Sequence, residues 1–369
     1  MHLQFPAMRG QMGSRTYYAC LVPMNAIPKL FKFTNWAGIS PEDREQRILN
    51  TKRIPDLKSY ILENEDEYLF SAITASYKSE PTFVPSNGNG NDSIGTLNLK
   101  LSDELIINDG QHRCAGIAAA LDDNPNFGEN TIAVLLFPYE NKERVQQMFS
   151  DLNRFVQKTS KSLDILYDKR DPVGIATLEF INTSPIYRKL TEKDRMSLEV
   201  KSTKLFTLAA LYDANKELLK GADLDPEEIE ENTALFVKFW TQVAKNMPEW
   251  NSVFTEHKLA LEFRAENLST HSTVLRALGA LGAELGADQW EDRLPVLQSI
   301  NWSKKNVEWE NVCVIANSVV SNRQARVATR AFLKAKLGLP MSDAEAKSLS
   351  GTVNGKELVD KAQADLKAI

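Results

Sequence analysis

The sequence predicts an α/β fold for its first part and a helical fold for the remainder. Short apolar segments bounded by Gly, Pro and Asn recur up to residue 138 and read as strands. Amphipathic segments at helical spacing are interleaved with them. Beyond residue 160 the strand signals thin out and helical patterns run to the end. A chain of 369 residues is long for one core, so two domains are expected. The expected division is a loose arm over 1–14, an α/β domain over 15–200, a helical domain over 201–340 and a helical tail over 341–369.

The elements follow in order. "MHLQFPAMRGQMGSR" lacks a continuous apolar stretch and is read as the arm. "SRTYYACLVPMNAI" carries the β-formers of a strand. "SPEDREQRILN" is expected to be helical, with Ser40 as N-cap, Pro41 at the first helical position and acids in the first turn. A second helix is expected across "IPDLKSYILENEDEY", where Leu57, Tyr60 and Ile61 share a face. "LFSAITASY" reads as a strand, "PSNGNGNDS" as an exposed loop tip and "SIGTLNLKL" as an alternating strand. "LIINDGQHRCAGIAAAL" joins a strand to an alanine-rich helix, and "NTIAVLLFP" has the unbroken apolar run of a strand buried on both faces. Strand, helix and strand here have the size of a βαβ-like unit. "ENKERVQQMFSDLNRF" is amphipathic, with Val145, Met148, Phe149 and Leu152 at i, i+3, i+4 and i+7. Asp225-Pro226-Glu227-Glu228 and Ser342-Asp343-Ala344-Glu345 read as helix starts. No internal repeat is visible.

Composition narrows the function. Apolar residues make up 43% and charged residues 25%, an ordinary globular balance. With 44 Lys and Arg against 49 Asp and Glu, the net charge of −5 gives no global attraction to nucleic acid. DNA binding would require a local basic surface. Cys20, Cys114 and Cys313 are far apart and odd in number, so neither a disulfide framework nor a metal site is implied. No secretory segment and no apolar run near 18 residues is seen, so a cytoplasmic protein with no membrane partner is expected.

Chemistry concentrates at Asp109-Gly110-Gln111-His112-Arg113. If Leu105–Asn108 is a strand and Cys114 onward a helix, Gly110–Arg113 lie at the helix N-terminus, where unpaired N–H groups and the dipole create a site for an anion. Gly110 permits the turn, Arg113 offers a planar donor fork and His112 a hydrogen bond or a proton. Together these are parts of a phosphate cradle. A second reading stands beside it, in which Asp109 caps the helix while His112 and Arg113 form surface salt bridges.

This pentapeptide resembles the signature of the DGQHR-domain proteins, whose best-known members form the DndB family of DNA phosphorothioation systems. "TKRIPDLKSYILEN", "YLFSAITASY" and "MFSDLNRFVQKTSKSLD" extend the resemblance to roughly residues 15–340. It implies a ParB/sulfiredoxin-like DGQHR domain with an appended helical domain, and a DNA-binding negative regulator of a DNA phosphorothioation (dnd) gene cluster. It also implies phosphate or nucleotide binding at Gly110, Gln111, His112 and Arg113, with Asp109 and His112 the candidates for any catalysis. Gln111 stands where sulfiredoxins carry their nucleophilic cysteine, so that chemistry is not carried over.

Other candidates are weighed against blander readings. Arg144, Gln147, Asp151 and Arg154 form the polar stripe of their helix. Asn153 matches a recurring Asn of the family and either braces the phosphate loop or makes a helix-end hydrogen bond. Lys158 and Lys161, in "QKTSKSLD", suit a phosphate-facing loop or the polar entry of a helix capped by Ser160 or Ser162. Arg323, Arg326, Arg330 and Lys334 share one helix face and are the first choice for DNA-backbone contacts. A solvated basic face neutralised by acidic helices is the alternative. His271 beside Leu275, Leu278, Gly279, Leu281 and Gly282 reads as the polar start of a closely packed helix, with catalysis as the minor reading. Cys114 is a redox candidate because a helix N-terminus beside Arg113 lowers a thiol pKa, and Cys20 is a weaker one; buried inert thiols are the alternative.

Three functions remain: a regulator bound to promoter DNA of its own cluster, a nucleotide-binding or nucleotide-hydrolysing accessory protein of the modification or restriction system, and an assembly factor contacting other DNA phosphorothioation proteins. A nucleotide of ATP or CTP type with Mg2+ is the cofactor the second would use. A homo-oligomer fits any of them.

Overall fold

The computed structural model describes residues 2–31, 40, 49–86, 92–100, 102–103, 105–154, 159–222 and 225–367, the side chains of 365–367 excepted. The chain divides into two compact units, 1–157 and 158–369. The helix expected over 40–50 falls largely outside the described residues, as does most of the 85–93 loop tip.

The first unit is built on a seven-stranded mixed sheet. Its strands are β1 (His2–Met12), β2 (Arg15–Pro23), β3 (Ile73–Tyr77), β4 (Thr82–Pro85), β5 (Ile94–Lys100), β6 (Leu105–Asp109) and β7 (Thr131–Pro138). They lie in the order β4-β5-β1-β2-β7-β3-β6. The helices are α1 (Ile27–Leu30), α2 (Ile54–Glu63), α3 (Gln111–Asp123) and α4 (Lys142–Arg154). The N-terminal stretch expected as an arm is thus a strand inside the sheet. Phe5 and Ala7 are buried, and β1 pairs antiparallel with both β2 and β5. Pro6 obscured this in the sequence, because proline is rare in central strands. It sits one residue outside the β2 ladder, which runs from Ala7 to Met12.

Two further expectations are corrected. The segment read as buried on both faces, β7, alternates instead, with Ile132, Val134 and Leu136 buried while Thr131 and Ala133 are exposed. The strand buried at all five positions is β3. Nor is β6–α3–β7 a parallel βαβ unit, since β3 lies between the two strands, antiparallel to β6 and parallel to β7.

The second unit is helical: α5 (Lys161–Tyr167), α6 (Pro172–Thr183), α7 (Pro185–Leu190), α8 (Leu208–Leu219), α9 (Ile229–Lys245), α10 (Pro248–Phe254), α11 (Ala260–Glu266), α12 (Ser272–Leu285), α13 (Trp290–Arg293), α14 (Arg323–Leu337), α15 (Asp343–Ser350) and α16 (Gly355–Lys367). Residues 159–200, expected with the α/β domain, belong here because Ile165, Val173, Phe180 and Tyr187 enter this unit's core. The stretch expected as a separate tail joins it as well, through Leu349 and Val359. Trp240, Trp250, Trp290 and Trp309 are fully buried, and their indole N–H groups find acceptors, as buried polar groups must. Gly279 has no room for a side chain: a Cβ there would lie 2.1 Å from the Ala214 carbonyl oxygen. The bare backbone at this point lets α12 lie directly against α8. Ser342 and Glu345 form the capping box that starts α15.

Candidate functional site

The pentapeptide lies where β6, an edge strand, hands the chain to α3. Asp109 ends the strand and Gly110 is the N-cap residue, at φ 103°. Only glycine adopts that conformation without strain, and a Cβ would also meet Arg113 Nη2 at 2.9 Å and the Ile73 side chain at 3.2 Å. Gly116, one turn into the helix, packs closely on Leu57 and so sets α3 against α2.

Arg113 turns back into the fold. Its Nη2 bonds Asp109 Oδ2 at 2.5 Å and the Ala72 carbonyl at 3.3 Å, and its Nη1 donates to Ser71 Oγ. The third nitrogen, Nε, is buried without a partner among the described residues. Arg113 therefore fastens α3 to the chain entering β3 rather than presenting an open fork. The salt-bridge reading holds for Arg113 and Asp109, but Asp109 does not cap the helix. His112 Nε2 accepts the backbone N–H of Asn50 at 3.0 Å, which fixes this nitrogen as the unprotonated one in that bond. Gly110, as N-cap, brings no side chain of its own to the start of α3, and Gln111 is half-buried at its first position.

The bond from Asn50 has a consequence that the sequence did not reveal. It draws the turn Thr51–Arg53 to the pentapeptide, and Lys52 and Arg53 on that turn are exposed. Two cations thus stand on the turn beside the start of α3. "TKRIPDLKSYILEN" was visible as a motif, but nothing in its spacing assigns it to the strand-to-helix junction 60 residues on.

Other expected residues go elsewhere. Asn153 donates to the Phe149 carbonyl at 2.8 Å, the ordinary helix-end bond, and not to the pentapeptide. Lys158 lies outside the described residues. Lys161, in the second unit, is ion-paired with Asp213 and lies over the Tyr212 ring at 5.3 Å. The basic face of α14 is not a free stripe. Lys334 is buried and bonded to Glu345 at 3.0 Å and Glu284 at 2.8 Å, while Arg330 pairs with Glu345 at 2.6 Å. Arg323 is exposed and Arg326 half-buried. A lysine with two acid partners in the interior cannot leave them for a phosphate without stranding their charges.

The cysteines are also corrected. Cys114 is buried, and desolvation pushes its thiol up to about 12 despite the opposing pull of Arg113. Burial does the same to Cys20, also to about 12. Neither holds the reactive thiolate that a redox role requires. His271 is the N-cap of α12, its Nδ1 accepting from Thr273 N at 3.3 Å, and burial with nearby Lys304 lowers its pKa to about 4. Among the described residues no group of three or more His, Cys, Asp or Glu side chains is placed to hold a metal ion, and no helix is long and apolar enough to cross a membrane.

Sheet, junction and helical unit define an α/β protein whose DGQHR turn links an edge strand to a helix. The family model described as DndB, DNA-sulfur modification-associated, matches residues 5–340, and the chain belongs to that family. It is accordingly a member of a DNA sulfur modification system. No curated protein and no solved structure shows a significant match to it.

Proposed function

We propose that the protein is a DNA-binding negative regulator of its own DNA phosphorothioation gene cluster, with that cluster's promoter as its partner. The observation that carries the DNA contact is the surface formed where the start of α3 meets the turn bearing Lys52 and Arg53. Backbone N–H groups at a helix start and adjacent cations are the groups that hold DNA phosphates in place. Arg323 and Arg326 at the start of α14 are the remaining candidates for backbone contact from the basic helix.

The test is a promoter-binding titration at several salt concentrations. The wild type should bind its promoter more tightly than random DNA, and more weakly as salt rises. The double variant Lys52→Gln/Arg53→Gln should weaken binding to both fragments and reduce the salt slope by roughly 2, about one per lost phosphate contact. Equal affinity for promoter and random DNA would count against regulation. Unchanged binding by the double variant would remove the junction from the interface.

One observation favours a second reading. A left-handed glycine feeding a helix start also suits the phosphates of a nucleotide of ATP or CTP type with Mg2+. Calorimetric titration with ATP and CTP in the presence of Mg2+ addresses it directly, and absence of binding would end it.

A further inference from the structure

In the second unit a cavity of about 240 Å³ is walled by side chains that carry positive charge and by none that carries negative charge. Arg264 and Lys304 supply that charge, and neutral His271 lines it together with Thr207, Ala210 and Ser272. We infer that this cavity is a binding site for a phosphate group, free or carried by a small monoester.

Two cations without a counter-ion carry the argument. Among the described residues neither Arg264 nor Lys304 makes an ion pair with a carboxylate. Lys304 Nζ donates to the Arg264 carbonyl at 2.6 Å, one acceptor for an ammonium with three donors. Arg264 Nη2 is held by the carbonyls of Glu199, Val200 and Ser202 at 3.1, 3.0 and 2.8 Å, which fixes the guanidinium in the wall. Burial lowers the pKa of both, and for Lys304 the neighbouring Arg264 adds to the effect. Cationic side chains gathered in a partly desolvated wall cost free energy unless a charge of opposite sign joins them.

The backbone adds to the same sign. Thr207 is the N-cap of the 12-residue α8 and His271 the N-cap of the 14-residue α12, so two helix starts contribute to one cavity. Each brings partial positive charge. The volume lies below that of cavities holding drug-sized ligands, which restricts the occupant to a phosphate or a small ester and excludes a DNA duplex. No residue of this cavity belongs to the DGQHR junction, so the two proposals stand or fall separately.

Calorimetric titration of the full chain with inorganic phosphate and with glycerol 3-phosphate, at ionic strength held constant with chloride, tests the inference. Saturable binding of either is expected, and tighter binding of the ester would identify a monoester as the preferred form. Lys304→Gln should lose affinity about tenfold, the typical loss for one charge-assisted bond. Lys305→Gln, a surface neighbour outside this cavity, should retain it, and circular dichroism should show both variants folded. Absence of saturable binding in the wild type, or equal affinity in Lys304→Gln, would overturn the inference.

Discussion

His271 caps α12 with a nitrogen that must stay unprotonated to accept the Thr273 N–H. Its pKa in the folded chain is about 4, below the ordinary 6.5, because burial and Lys304 oppose the charge. Above pH 6.5 the imidazole is neutral whether the chain is folded or not, and it contributes no pH dependence. Between 6.5 and 4 only the unfolded chain takes up the proton, so stability falls with pH across that window. The full effect is roughly 3 kcal/mol, of which about 2 kcal/mol is reached at pH 5. His271→Asn preserves a capping acceptor and removes the titration. Urea unfolding in chloride buffer at pH 7.5 and pH 5 should therefore show a smaller acid-induced loss in the variant, and an equal loss would contradict this origin. The polar start of α12 was legible in the sequence, as was the need for glycine at 110. The inward turn of Arg113 was not. Its partners Ser71 and Ala72 come from a strand approach some 40 residues earlier, and no local pattern announces them.

Between α14 and α15, charge is organised as a buried cluster rather than a surface stripe. Glu345 is 2% exposed and accepts from Lys334, Arg330 and the Ser342 backbone at once. Burial alone would raise its carboxyl pKa, but these partners outweigh it and hold the pKa below the usual range. Glu345→Ala leaves Lys334 in the interior with only Glu284 and is expected to destabilise by about 3–5 kcal/mol in urea unfolding. Arg326→Gln, which disturbs no such pair, should stay within about 0.5 kcal/mol. A Glu345→Ala variant as stable as wild type would show that the cluster holds nothing together. The helix periods and the capping box were readable from residue types. Which face of α14 would be covered was not, because the acid that covers it belongs to the following helix and looked like a helix-start residue only.

At the level of the whole chain, two separate hydrophobic cores imply two unfolding events. One core runs from Phe5 to Leu136 and the other from Ile165 to Val359. Calorimetry should resolve two transitions. Gly110→Ala, strained at φ 103°, should destabilise the first unit alone by about 1–3 kcal/mol. Gly279→Ala, which crowds the Ala214 carbonyl, should lower only the second by a comparable 1–3 kcal/mol. A single transition shifted by both variants would contradict this division. The sequence carried the change from mixed to helical structure, yet it placed the boundary some 40 residues late. The helices after residue 160 follow α4 without a Gly- or Pro-rich linker, and only packing reveals which core they fill.

Strand β1 joins β5 to β2, pairing His2 with Lys100 at one end and Met12 with Arg15 at the other. During synthesis β1 thus has one flank occupied early by its hairpin partner β2. Its other flank stays open until almost a hundred residues have followed. Removing those first dozen residues would not trim a tail. It would cut the sheet into a two-stranded ribbon and a four-stranded remnant, each with a fresh unpaired edge available to other chains.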